Sequence, residues 1–565
     1  MRLPTGTQRD DELATETITA AVSAGVTVFD TAHAYGDSPG HNERLVAAAL
    51  ARCGDQPPAR IVTKGGMSRV GDRWIPDGRA KAIAGDCEAS LVALDGLPID
   101  MYLLHAPDPG TPWRRSVRAL GRLADQGLVR RIGLSNVNRR QLDEAVELAP
   151  VGAVEVALSL TDQRALRGGI VGRCDELGIA LIAHSPLGGP RRSGALLRRE
   201  PVTQIAERRG ARPAEVALAW LLALSAVVIA IPGARHAQTA QSAARAAALE
   251  LDAAEREALD RAFGSFSQAR RRPTLQSDDR DVLVVMGIPG AGKTRIAERY
   301  VDGGYARLNR DERGRSLREI ADALDRALSS GGRRFVLDNT YLTRSARSYV
   351  IEAATRHGTP ARCMWLDTPL PQAQVNLVAR MLERLGRLPE PGELQQLART
   401  QAGVMAPTSQ MRALRELEEP SLDEGFSDVE VISFERTPVP GPSRAGVLVA
   451  APVLGQPGWE QTVERGDCAA PHLVFDWSPD GTAELLDPCV EHLGAVVSGP
   501  VKAALCPHAG GPPRCWCRPP LPGLALTFAR AHQLDLATSV VVGCRPTDRA
   551  LAGALGARYV AVTGT

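Results

Sequence analysis

Four soft metal ligands, Cys506, His508, Cys515 and Cys517, stand within the twelve residues CPHAGGPPRCWC. Three thiolates and an imidazole suit a tetrahedral Zn²⁺ site, closed by protein ligands and therefore structural rather than catalytic. A second group carries phosphate chemistry. GIPGAGKT, from Gly287 to Thr294, is a complete G-x-x-x-x-G-K-T loop between the apolar run DVLVVM and the helical segment KTRIAERY. The backbone N–H groups of such a loop, built around Gly287, Gly290 and Gly292, cradle phosphates at a helix N-terminus. Lys293 would neutralise the β- and γ-phosphates of ATP, and the Thr294 hydroxyl would bind Mg²⁺. A third group closes short apolar runs: VTVFD ends at Asp30, RIVTK at Lys64 and MYLLH at His105.

The elements that must position the third group recur through residues 1–265. RIGLS, AVEVALS, ALIAHS and VVIAIPG continue the series between helical segments, and strands alternating with helices imply a parallel sheet. Polar residues at the C-terminal ends of such strands are where a (β/α)8 TIM barrel places its active site. Seven strands are readable. The eighth, first in order, would precede MRLPTG, so either the recorded start lies downstream of the true one or the barrel closes by another route.

Composition frames these parts. A chain of 565 residues exceeds one core and implies about three domains. The net charge of +2 argues neither for nor against nucleic acid, so any basic binding surface would be local, and the 4% aromatic content argues against broad base-stacking platforms. Val216–Ala234 is apolar enough to raise a membrane span, but VALAWLLAL gives way to β-branched VVIAIPG, which reads as helix then buried strand. Ten cysteines without an N-terminal apolar signal segment predict reduced thiols and a cytoplasmic protein. Residues 266–280 (polar and Arg-rich) and 437–444 (Pro-rich) read as linkers, leaving an α/β P-loop domain over 281–436 and a small α/β domain over 445–565.

FDTAHAYG, IVTKGG, LLH and IGLSN resemble, in order and spacing, the aldo-keto reductase family over about 260 residues. The resemblance implies an NADP(H)-dependent reduction of a carbonyl substrate, with Asp30, Tyr35, Lys64 and His105 as the catalytic four. Tyr35 would give a proton to the carbonyl oxygen, Lys64 paired with Asp30 would ease that transfer, and His105 would orient and polarise the carbonyl. Ser135 and Asn136 match positions that hold the nicotinamide carboxamide. Ser185 and the IPG turn at Gly233 also fall on cofactor-binding positions, and Arg235 would meet a 2′-phosphate. Three departures predict weak cofactor binding. Glu155 replaces the usual glutamine, and a carboxylate can accept but not donate. His184 replaces the aromatic ring that stacks on nicotinamide, and Thr239 and Ala243 replace longer polar residues at the adenosine end.

In the middle, LNRDERG, FVLDNTYL and LPQAQVNLVARM resemble the kinase domain of polynucleotide kinase-phosphatases over about 155 residues. By position Asp311 would be the base for the acceptor hydroxyl, Asp338 would support the metal and water network, and Arg380 would reach the transferring phosphate, with Arg384 and Arg387 as further candidates. Gly314 stands where an arginine grips the acceptor's neighbouring phosphate, which leaves the acceptor open between a nucleic-acid 5′ end and a metabolite.

The C-terminal region resembles the zinc-bearing heptose-bisphosphate and histidinol phosphatases of the haloacid-dehalogenase (HAD) superfamily, with the clamp as its zinc site. FDWSPDGT is the nearest match to the nucleophile motif, but Asp476 and Asp480 are wrongly spaced. Pro519, Pro520 and Leu521 fill the lysine region, and Cys544 takes a metal-binding aspartate position. The expectation is a pseudophosphatase. For the whole chain, a reductase–kinase fusion in nucleic-acid end repair, a small-molecule reductase–kinase and a nucleotide sensor without turnover all remain open.

Overall fold

The computed structural model describes residues 10–562 apart from 55–58, 72, 190–191, 265–279, 311–315, 437–443 and 465–466. Both expected linkers and the expected base Asp311 thus lie outside, or almost wholly outside, the described residues. The chain divides into two compact units, Met1–Arg270 and Arg271–Thr565.

The first unit is a nearly closed parallel barrel. Its strands are β1 (Val28–Asp30), β2 (Arg60–Gly65), β5 (Ile99–Leu104), β6 (Ile132–Ser135), β7 (Val151–Ala157), β8 (Ala180–His184) and β9 (Val228–Ile231), hydrogen-bonded in chain order. The order arises because each crossover is helical and brings the next strand beside the last. Residues on the two faces of the sheet bury in different places. Val62, Met101, Leu103, Ala153 and Ile182 form a small apolar cluster of their own, as barrel-filling side chains do. The larger cluster, including Phe29, Ile61, Ile99 and Trp220, lies against the helices. All seven expected strands are present, and Val216–Ala234 resolves into the helix Pro213–Leu222 followed by β9. No described helix is long and apolar enough to cross a membrane. An antiparallel hairpin, β3 (Met67–Val70) with β4 (Arg73–Pro76), follows β2 directly.

The second unit holds two five-stranded parallel sheets. The first, in the order β11-β12-β10-β13-β14, contains β10 (Asp281–Met286), β11 (Ala306–Arg307), β12 (Arg334–Asp338), β13 (Ala361–Asp367) and β14 (Asp428–Ser433). The chain winds away from β10 in both directions, and ligands of open α/β sheets bind at the carboxyl end of such a switch strand. GIPGAGKT follows β10 there.

The second sheet, β17-β16-β15-β18-β19, contains β15 (Val447–Ala450), β16 (His472–Trp477), β17 (Val501–Cys506), β18 (Val540–Gly543) and β19 (Arg558–Ala561). Its switch strand is β15, followed by Ala451-Pro452-Val453-Leu454 in a 3₁₀ turn. FDWSPDGT, rejected from the sequence on its spacing, lies away from that switch point. That stretch ends β16 beside the switch strand, and the segment at the switch point carries no carboxylate.

Candidate functional site

Strand ends assemble the barrel's polar residues around a cavity of about 1040 Å³. Asp30 ends β1, Tyr35 follows in the next loop, His105 directly succeeds β5, and Glu155 projects from β7. All four line the cavity with Asn136, His184, Ser185, Gly233 and Arg235. Lys64 and Ser135 are buried beside them.

The centre is a lysine between two carboxyl groups. Lys64 Nζ, fully buried, donates to Asp30 Oδ1 and to the Thr31 carbonyl oxygen at 2.9 Å, and lies 3.2 Å from Glu155 Oε2. Burial alone would lower its pKa, but Asp30 and then Glu155 outweigh burial and hold the ammonium charged. One cation cannot compensate two buried anions. Burial first and the Asp30 charge second push Glu155 up to about 8 against the pull of Lys64. The upward shift favours the protonated acid, which can donate as well as accept, whereas a carboxylate at this position accepts only.

Burial, with the Lys64 charge adding to it, drives His105 down to about 3, so the ring is neutral. Its Nδ1 is buried without a hydrogen-bond partner among the described residues. The Tyr35 ring packs edge-on to His105 at 5.5 Å and to Trp74 at 6.0 Å, with Lys64 Nζ 5.4 Å from its centroid. Asn136 and Ser185 turn the chain at their strand ends with φ of +58° and +52°. Asn136 Nδ2 donates to the His105 carbonyl oxygen at 3.0 Å and to Ser135 Oγ at 3.1 Å, while its Oδ1 lies 3.2 Å from His184 Nε2. Of the residues expected on the nicotinamide side, Ser135, Asn136, His184 and Ser185 thus form one hydrogen-bonded set. Missed from the sequence were Trp74 and Arg69 on the β3–β4 hairpin, both lining the cavity. The Gly71-Asp72 dipeptide between two short β-prone runs was the available hairpin signal.

The aldo/keto reductase family profile matches residues 1–263. Probable aldo-keto reductase 1 of Glycine max is 32% identical over 243 residues, spanning 38% of this chain and 68% of that protein. The chain belongs to the aldo/keto reductase family. Aldo-keto reductase str7 of Strobilurus tenacellus is 29% identical over 275 residues, 44% of this chain and 80% of that protein. A solved aldo/keto reductase from Klebsiella pneumoniae, in complex with NADP and acetate, is 27% identical, covering 48% of this chain and 91% of that one with a TM-score of 0.41. An AAA domain profile matches residues 282–407, ending before the clamp.

Within that second match, the loop is held from behind. A Cβ at Gly290 would stand 2.1 Å from the Ala373 carbonyl oxygen, and one at Gly287 would stand 2.9 Å from that of Leu366. With φ of +88° and +151°, neither position admits a side chain. Asn376 Nδ2 donates to the Gly290 carbonyl, Gln410 Nε2 to that of Pro289 and Thr368 Oγ1 to that of Ala291. Lys293 Nζ folds back onto the carbonyls of Gly287 and Ile288 at 2.8 and 2.9 Å. Gly292 caps, and Thr294 sits in the first turn of, the helix Lys293–Asp302. Asp338 accepts a bidentate pair from Arg307 at 2.9 and 2.6 Å and a bond from Asn309. Arg380 lies on the helix Leu370–Leu385, while Arg384 donates to the Ala402 carbonyl and Arg387 pairs with Glu393.

The clamp's four ligand atoms lie within 4.8 Å of one another. Cys506 Sγ is 3.5 Å from His508 Nδ1, 3.7 Å from Cys515 Sγ and 3.3 Å from Cys517 Sγ, and His508 Nδ1 is 3.1 Å from Cys517 Sγ. Zinc–sulfur bonds of about 2.3 Å give a tetrahedral edge of about 3.8 Å, so the donors fit a zinc ion with slight expansion.

Proposed function

We propose that the barrel is an NADP(H)-dependent carbonyl reductase. The buried Asp30–Lys64–Glu155 arrangement behind Tyr35 carries this reading, because it has no structural use that a hydrophobic trio would not serve better. When bound, the reduced nicotinamide supplies hydride to the carbonyl carbon. Tyr35 gives its hydroxyl proton to the developing alkoxide, and the Lys64 ammonium stabilises the phenolate left behind. Neutral His105 orients the carbonyl without adding a charge. Protonated Glu155 serves the carboxamide as a glutamine would, and exposed Arg235 meets a 2′-phosphate at the cavity's other end. NADPH consumption against a panel of aldehydes and ketones tests this: turnover is expected, whereas tight cofactor binding with no turnover would favour a nucleotide sensor.

The P-loop half is read as an ATP- and Mg²⁺-dependent phosphotransferase acting on a hydroxyl. The loop's restrained carbonyls and its two side-chain-intolerant glycines support this reading. Likeness at Asp338-Asn339-Thr340 and at Gln372-Ala373 with Asn376 favours a 5′-hydroxyl nucleic-acid end as acceptor and Asp311 as base. Transfer of labelled γ-phosphate to 5′-hydroxyl DNA, RNA and small alcohols separates the acceptors. The C-terminal sheet is read as a zinc-stapled phosphatase-like fold without phosphatase activity. Asp476 is paired with Arg545 at 2.7 Å, and the same arginine holds Asp548.

A further inference from the structure

The helix Leu370–Leu385 begins at the phosphate loop, where the Ala373 carbonyl and the Asn376 side chain meet Gly290. The chain then runs through the helices Pro391–Thr400 and Pro407–Glu416 and returns to the loop, where Gln410 bonds the Pro289 carbonyl at 2.7 Å. The far side of this three-helix excursion rests on the clamp. Trp516, between ligands Cys515 and Cys517, is 1% exposed and packs with Leu377, Val378, Met381, Leu382 and Leu394. Its Nε1 donates to the Met405 carbonyl oxygen at 2.8 Å, two residues before the last helix. A second joint is polar. His508 presents Nδ1 to the cysteine sulfurs and Nε2 to Glu390 Oε2 at 2.8 Å, and Glu390 caps the middle helix.

We propose that the metal-held clamp is a strut that positions the three-helix excursion over the phosphate loop, with Trp516 and the Glu390–His508 contact as its two joints. A carboxylate on the free nitrogen of a zinc-bound histidine fixes that ring's orientation. Here the carboxylate belongs to the excursion, so metal geometry and helix placement are set together. The buried indole is the rigid part: its ring fills the apolar face of Leu370–Leu385, and its N–H fixes the backbone at Met405. Arg380, on the same helix, takes its place relative to the loop from these contacts. The C-terminal sheet thus serves its neighbour's nucleotide site. The inference rests on the reading of the loop as an ATP site.

The test uses the full chain loaded with Zn²⁺ and reads equilibrium binding of MgATP, zinc content and hydrogen exchange over residues 377–410. Trp516→Ala and Glu390→Ala are expected to keep about one zinc per chain, to speed exchange over 377–410, and to weaken MgATP binding about tenfold and a few-fold respectively. Trp516→Phe, which keeps packing but loses the N–H, falls between wild type and Trp516→Ala. Chelating zinc from wild type weakens MgATP binding as Trp516→Ala does, and chelating it from Trp516→Ala adds little. Glu390 is exposed, so its variant folds even where Trp516→Ala does not. Unchanged MgATP affinity and exchange in zinc-loaded variants, beside a wild type whose binding is lost in Lys293→Ala, overturns the strut and leaves the ATP site standing. A wild type that binds no MgATP overturns both.

Discussion

Glu155 is where residue chemistry departs furthest from expectation. A glutamate in a position suited to glutamine looks like a defect while it is read as a carboxylate, but burial and the Asp30 charge raise its pKa and favour the protonated acid. The folded state then keeps a proton that an unfolded glutamate releases near its ordinary 4.5. Its stabilising share is full below about pH 4.5 and is lost as pH rises through about 8. Glu155→Gln should therefore raise the melting temperature more at about pH 9 than at about pH 5, and flatten the decline of NADPH affinity above about pH 8. An equal shift at both pH values would mean that Glu155 is ionised throughout. His105, held near 3, should contribute no ionisation to the rate profile around its ordinary 6.5. The types Asp30, Tyr35, Lys64 and His105 were legible from their motifs. The raised pKa of Glu155 was not, because it depends on an Asp30–Lys64–Glu155 geometry whose ends lie 125 residues apart in the chain.

At the scale of elements, strand and loop were the easiest to read. β-branched apolar runs named seven barrel strands, and GIPGAGKT needed only its strand and helix. Sheet order was not legible, since periodicity says nothing of neighbours, so the sequence could reject FDWSPDGT only on its spacing and could not place it beside the switch strand β15. The phosphate loop supplies a sharp prediction. Gly290→Ala puts a Cβ 2.1 Å from the Ala373 carbonyl oxygen, backbone that cannot swing aside, so it should abolish MgATP binding about as fully as Lys293→Ala. Calorimetric titration checks this, and near wild-type affinity in Gly290→Ala would mean that the loop relaxes away from the Leu370–Leu385 helix.

For the molecule as a whole, a reductase barrel and a nucleotide-binding P-loop domain share one chain with a second five-stranded parallel sheet, proposed above to lack phosphatase activity. Ala451 and Pro452 stand at its switch point, and Arg545 neutralises Asp476. Incubated with Mg²⁺ and a panel of phosphate monoesters, the Lys293→Ala chain should release no phosphate. Release that disappears on adding Asp476→Asn would reveal a diverged active site. Purified protein should carry about one zinc. Cys515→Ser should lower that content and open residues beyond 444 to protease, because zinc contributes on the order of 10 kcal/mol to such small folds.

The reductase assignment turns on one hydroxyl. Single-turnover hydride transfer and NADPH affinity, measured together in wild type and Tyr35→Phe, test it most directly. Loss of the proton donor should cut the transfer rate by at least about a hundredfold while leaving NADPH affinity within about twofold. Equal loss of rate and affinity, or a rate that survives the substitution, would contradict the account.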